Sequence, residues 1–344
     1  MFSRDNARLD KKINKKMLPS AFRPDKKLVP NIVSYFVKRS LSELSTPRRA
    51  LLYVPGSDAR KVKKASTIDA DLIVLDCEDG VAINQKENAR KTIAGMLEAA
   101  PFSSCKPQWG VRVNSVSSGL CQSDLDAVLS SANKPPCILL PKVESADEIL
   151  WFTDAVEKLN PRRVKMDLIA YSETAIGMLR LPDITQAAID GERKSALKLV
   201  ALVMGSDDYV ANIGATRTKN CSEILYARQR LVMIAKAYEL QAIDMVHIDI
   251  KDLEGLRKTS EESSTWGFTG RQVIHPSHVP IVQAAYSPSQ SRILWASELV
   301  KAFEAHQQLG KGAFVFKDQM IDMPTLRQAR NVVNLAKSST SKAS

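Results

Sequence analysis

Cysteine is scarce in this chain and poorly spaced for building anything. The 344 residues hold five, Cys77, Cys105, Cys121, Cys137 and Cys221, with no C-x-x-C pair. That argues against a structural zinc site and against a disulfide framework. Cys77 and Cys137 lie in apolar runs and read as small buried side chains, so a reducing compartment fits. Long apolar runs are also missing: none approaches the roughly 20 residues needed to span a bilayer, and no membrane partner is expected. No G-x-G-x-x-G follows any apolar run, which removes the dinucleotide fingerprint. No Ser/Gly linker divides the body. Acid is short at one end only. Residues 1–49 hold 13 Lys/Arg against 4 Asp/Glu, so +9 of the net +11 lies there and +2 is left for the rest. The basic character belongs to a leader, and nucleic acid is not expected as a partner of the folded body.

What is present is ordinary globular composition, 44% hydrophobic and 25% charged. Residues 1–47 show no strand–helix alternation. From Leu28 to Arg49 apolar residues mix with hydroxyls and with Lys38, Arg39, Arg48 and Arg49, and Glu43 is the only acid. That composition suits a mitochondrial transit peptide, although Asp5, Asp10 and the lysines at 11–16 suit one less well. A disordered basic tail is the plain alternative.

After Arg49 short apolar runs alternate with helical periods. Strands are expected at Ala50–Val54, Leu72–Leu75, Gly110–Val113, Cys137–Leu140, Asp167–Ser172, Leu199–Met204, Ile243–Ile250 and Val273–Ile274. Eight such strands predict an α/β fold, a (β/α)8 TIM barrel, over residues 48–288. A doubly wound sheet gives the same alternation. It would, however, concentrate polar residues at one switch point, whereas here they end many strands. Residues 289–344 follow as a C-terminal extension: a helix at Ser291–Leu309, a Gly310-Lys311-Gly312 hinge, apolar Ala313–Phe316, then Met320-Ile321-Asp322-Met323-Pro324 and a last helix. An acid among methionines after a hinge suggests a lid, and apolar neighbours predict a raised pKa for Asp322. The plain alternative is that Asp322 caps the last helix.

Two strands deliver carboxylates at their C-terminal tips. Leu199–Asp208 runs apolar to Gly205 and then Asp207 and Asp208; Asp167–Glu173 ends in Glu173. Two acids brought together repel unless neutralised, and a hard divalent cation such as magnesium is the natural candidate. Helix caps or surface acids are the alternative.

The motifs RRALLYVPGSD, VLDCEDGV, VRVNSVSSGL, LPKVES, SETAIG, IGATRTK, QAIDMVHID, GFTGRQVIHP, HQQLGKGAF and MIDMP, in this order, resemble the citramalyl-CoA lyase, or citrate lyase β-subunit-like, proteins of mitochondria, in the HpcH/HpaI aldolase superfamily. The resemblance covers nearly everything after residue 47. It implies a magnesium-dependent barrel, usually a homotrimer in the mitochondrial matrix, that splits the CoA thioester (3S)-citramalyl-CoA into acetyl-CoA and pyruvate. It implies metal ligands at Glu173 and Asp208. Contacts to CoA and substrate are implied at Tyr53, Arg60, Lys64, Arg112, Ile274 and His275. The catalytic acid/base is implied at Asp322, reaching a neighbouring subunit's site. Three departures stand out: Ser206-Asp207 where glycine-glutamate is usual, Ala170-Tyr171-Ser172 in place of a more apolar run with proline, and Arg60 in place of lysine.

Each assignment has a bland rival. Arg60 and Lys64 also read as a solvated helix face, Arg112 as a partner of Glu78 or Asp79, and His275 as a rim histidine. Malyl-CoA cleavage or a malate-synthase-like condensation differs by one substrate methyl, worth about 1–3 kcal/mol of discrimination. A non-catalytic CoA-binding barrel is the reading from another class.

Overall fold

A computed structural model of the chain describes residues 46–99, 107–308 and 314–340. The expected leader therefore lies almost wholly outside the described residues, as does the Gly310–Gly312 hinge. Eight parallel strands close into a barrel in sequence order: β1 (Ala50–Pro55), β2 (Leu72–Asp76), β3 (Gln108–Arg112), β4 (Cys137–Leu140), β5 (Met166–Ser172), β6 (Leu197–Met204), β7 (Gln241–Asp244) and β8 (Gly270–Val273), with β8 pairing back onto β1. Around and after them come α1 (Ala59–Ala65), α2 (Lys86–Ala99), α3 (Cys121–Ser130), α4 (Ala146–Leu159), α5 (Ala175–Ser195), α6 (Ser206–Asn212), α7 (Leu225–Ala237), α8 (Leu253–Thr265), α9 (Val279–Ala285) and α10 (Gln290–Gln308). A two-stranded hairpin, β9 (Val315–Phe316) and β10 (Gln319–Met320), then leads into α11 (Met323–Thr340).

The strands are apolar on both faces because one face fills the barrel and the other carries helices. Leu51, Leu72, Val74, Cys137, Leu139, Ile169, Ala201, Val203 and Ile243 form the packed interior. The floor is polar and paired: Arg48 bonds Asp167, and its Nε donates to Gln108 Oε1 at 2.9 Å. Gly270 lies so near the Arg48 carbonyl that a Cβ would collide with it, so glycine is what lets β8 close the ring. Alternation carries each strand from this floor through the apolar middle to polar tips at the C-terminal mouth.

β7 is shorter than the apolar alternation of Ile243–Ile250 predicts; it ends at Asp244. The carbonyls that would continue its ladder go elsewhere. Arg271 Nε takes Met245 C=O at 2.9 Å, and Arg217 Nη2 takes Val246 C=O at 2.9 Å. The segment from Met245 is therefore a loop over the mouth, with Ile248 and Ile250 exposed. Asp244 itself turns into a wholly buried cluster, bonded by Arg228 (2.6 and 3.0 Å) and Ser263 (2.6 Å). Arg271 stands 3.6 Å from the same carboxylate.

α10, the hairpin and α11 carry a small core of their own, built from Ala296, Leu299, Phe314, Ile321 and Ala329 with Phe303 edge-on to Phe314. Among the described residues no helix is long and apolar enough to cross a membrane.

Candidate active site

The strand tips surround a cavity of about 360 Å3 at the C-terminal mouth of the barrel. Tyr53, Arg112, Glu173, Asp208 and Ile274, five of the residues singled out from sequence, line it. Arg60 and Lys64 stand on the exposed face of α1, which Asp58 caps by accepting from Lys61 N at 3.1 Å. His275 is at the rim, its Nδ1 2.7 Å from Ser277 Oγ.

Glu173 follows β5 directly. It is not a helix cap, because Thr174 holds that position on α5 and accepts from Gly177 N at 3.1 Å. Gly177 has no Cβ to strike Val143 C=O, so α5 starts tight against the loop after β4. The Glu173 carboxylate lies over Gly205 at the tip of β6, in space that a Cβ on Gly205 would fill. Its Oε2 accepts the backbone N–H of Lys142 at 2.7 Å. Gly205 begins α6, which puts Asp207 and Asp208 in the first turn, where the helix end favours negative charge. Burial, then the negative charges of Glu78 and Asp208, push the Glu173 carboxyl up from 4.5 to about 8, against Arg112 and the Lys142 N–H.

Arg112 is locked in place. Its Nε and Nη2 grip Asp76 at 2.7 and 2.6 Å, and Nη1 meets Glu78 at 3.0 Å. Three of the five N–H donors of a guanidinium are thus committed. The group lies over the Tyr53 ring, 4.8 Å from its centroid. The Tyr53 hydroxyl bonds Tyr171 and donates to Gln272 Oε1 at 3.0 Å. Burial pushes both phenols up, so they stay protonated. The pairing of Arg112 with Glu78 was foreseen; its tighter partner, Asp76, was not. The signal available was that both are charged residues at the tips of successive apolar strands, β2 and β3, which pair Asp76 with Arg112.

Sequence reading also missed Lys142. Its ammonium bonds Glu78 and Asp79 and stands 3.5 Å from Asp208. Glu78 is raised by burial. Burial would raise Asp79 too, but hydrogen bonds from Glu78 and Lys142 carry it below the usual range. No single-residue pattern marks Lys142, because its partners come from a loop more than sixty residues earlier.

Asp322 is not among the residues lining this cavity. It is exposed and caps α11, its Oδ1 accepting from Thr325 N at 2.8 Å. Hydrogen bonds from Thr325 hold its carboxyl below the usual range, the reverse of the raised value expected from its methionine neighbours. Met320 and Met323 are 77% and 49% exposed, so they shield the carboxylate from water too little to outweigh those bonds.

Among the described residues no three His, Cys, Asp or Glu side chains converge as metal ligands. Two carboxylates, Glu173 and Asp208, do face the same cavity. Hard oxygen donors and mutual repulsion fit a magnesium ion, which takes one or two carboxylates and leaves its other positions to water and substrate.

Comparison with known proteins gives this geometry its relatives. Residues 49–276 match the family model described as HpcH/HpaI aldolase/citrate lyase. The chain is 50% identical to citramalyl-CoA lyase, mitochondrial, of Homo sapiens, over 85% of this chain and 86% of that one. The crystal structure of CitE from Mycobacterium tuberculosis with magnesium, acetoacetate and coenzyme A superposes with a TM-score of 0.66 at 30% identity, covering 85% of this chain and 98% of that one. The same protein with magnesium and pyruvate gives 0.61 at 27% identity, over 84% and 99%. With its closed parallel barrel and its paired carboxylates at the strand tips, the chain belongs to the HpcH/HpaI aldolase/citrate lyase family.

Proposed function

We propose that this chain is a magnesium-dependent carbon–carbon lyase that cleaves (3S)-citramalyl-CoA to acetyl-CoA and pyruvate. The observation that carries the reading is the Glu173–Asp208 pair facing one cavity across Gly205, with Arg112 fixed beside it. The human relative's name and the magnesium, coenzyme A and pyruvate complexes of CitE support it.

Cleavage asks two things of the site. The tertiary hydroxyl must lose its proton as its carbon becomes the ketone of pyruvate, and the departing acetyl-CoA carbanion must be held as an enolate and then protonated. Magnesium, when bound, supplies Lewis-acid stabilisation of the alkoxide. Glu173 and Asp208 are its ligands. Arg112, with donors beyond those given to Asp76 and Glu78, holds the substrate carboxylate or the enolate oxygen. Tyr53 and Ile274 form the wall the substrate packs against, with His275 at the rim. Arg60 and Lys64, one turn apart on α1, clamp a CoA phosphate. Asp322, from a neighbouring copy in a homotrimer, takes up the hydroxyl proton and returns it to the acetyl methyl. Supporting that last point, the hairpin beside Asp322 carries apolar side chains left uncovered in the single chain: Met320 is 77% and Val315 60% exposed.

The name of the human relative and the basic leader support import into the mitochondrion, with residues 1–47 as the transit peptide. Steady-state assays with citramalyl-CoA and malyl-CoA, with magnesium and with chelator, test the reaction. Magnesium-dependent release of pyruvate that Glu173→Ala and Asp208→Ala each abolish is the expected result. Turnover in chelator, or near-normal turnover in either variant, refutes the metal assignment, and a preference for malyl-CoA refutes the substrate.

A further inference from the structure

Lys142 touches both candidate ligands from one position in the loop after β4. Its backbone N–H donates to Glu173 Oε2 at 2.7 Å. Its ammonium bonds Glu78, meets the Asp79 oxygens at 3.0 and 3.2 Å and stands 3.5 Å from Asp208 Oδ2. The backbone is held where few side-chain-bearing residues go, with φ of 52°. Such a conformation persists when the surroundings over-determine it. Here they do. Glu78, the anchor of the ammonium, is gripped by Arg112 at 3.0 Å. The main chain around Glu78 is fixed by Lys86, whose Nζ donates to the carbonyls of Cys77 and Glu78 at 2.8 Å each. The anchored ammonium sustains the left-handed turn, and the turn aims the N–H at one Glu173 oxygen. The other oxygen, Oε1, is left over Gly205.

We propose that Lys142 is a positioning residue of the metal site. Its backbone fixes the carboxylate of Glu173, and its ammonium neutralises Glu78 and Asp79, so that a divalent cation settles between Glu173 and Asp208. An ammonium near a cation also repels it. That effect is the weaker one, because the charge is closer to Glu78 and Asp79 than to Asp208 and is compensated there. The inference rests on the metal reading above and adds to it a residue that binds no metal itself.

Mn2+, followed by the electron paramagnetic resonance of the free ion during titration of the full-length protein, gives a readout independent of turnover. Lys142→Met is expected to weaken Mn2+ binding about tenfold or more, the usual cost of losing a group that orients a ligand. Lys142→Arg should recover most of it. With saturating magnesium, kcat of the Met variant should return to within about threefold of the parent, since a displaced ligand is a binding defect and not a chemical one. Unchanged or tighter Mn2+ binding in Lys142→Met overturns the inference. So does a kcat that stays lost at saturating magnesium. Glu173→Ala separates the two layers. If it binds Mn2+ like the parent, the metal reading itself fails; if it loses Mn2+ while Lys142→Met does not, only the role of Lys142 fails. Lys142→Gln is held to the same outcomes if the Met variant does not fold, as judged by thermal unfolding in chelator.

Discussion

Glu173 is where burial and charge conflict most openly. Its carboxyl is raised from 4.5 to about 8, by burial first and then by Glu78 and Asp208. The folded, metal-free protein therefore keeps a proton that the unfolded chain releases between those values. The stability this group contributes is fully present below pH 4.5 and drains away as pH climbs to about 8. Chemical denaturation of the parent and of Glu173→Gln in chelator, across that window, isolates the effect: the parent should lose stability relative to the variant as pH rises. A constant difference would show that Glu173 titrates normally. Magnesium needs the ionised carboxylate, so its binding near neutral pH should release a proton. The strand-tip positions of Glu173 and Asp208 were legible because both residues follow strongly apolar strands that had to be buried. Lys142 was not, because its part depends on a left-handed turn and on a side chain that folds back to Glu78.

Elements show the same division. Parallel strands buried on both faces read plainly as apolar runs, and Cys137–Leu140 falls where the pattern puts it. β7 was overrun because Met245, Val246, Ile248 and Ile250 continue the apolar alternation, and the guanidinium groups that end the ladder come from Arg217 and Arg271. The cluster behind β7 has an energetic consequence. Asp244 is fully buried between Arg228 and Arg271, and those two charges, on α7 and β8, share its carboxylate. Asp244→Ala should cost about 3–5 kcal/mol by leaving buried arginine unpaired. Its denaturant midpoint checks this, and a loss of only about 0–1 kcal/mol, as for a surface ion pair, would contradict it. At α11 the local chemistry was readable. Asp322 followed by Pro324 and Thr325 is a helix start, and that reading outweighs the one from neighbouring methionines.

For the whole molecule, the single chain holds its candidate metal ligands and its candidate proton carrier apart. Asp322 is exposed on a C-terminal unit with its own core, and the mouth cavity is lined without it. Asp322→Ala should lower kcat strongly and change KM for the CoA ester little. Mixed oligomers of Asp322→Ala and Asp208→Ala subunits should regain part of the activity, because some sites then draw each missing group from a different chain. No recovery in verified mixed oligomers would refute the shared site. A divalent cation between Glu173 and Asp208 should present the substrate to Arg112. Anomalous diffraction from crystals grown with Mn2+ and pyruvate tests it most directly. One strong peak is expected between the Glu173 and Asp208 carboxylates, with pyruvate between the metal and Arg112; a peak elsewhere, or none at that pair with pyruvate bound, would rule this arrangement out.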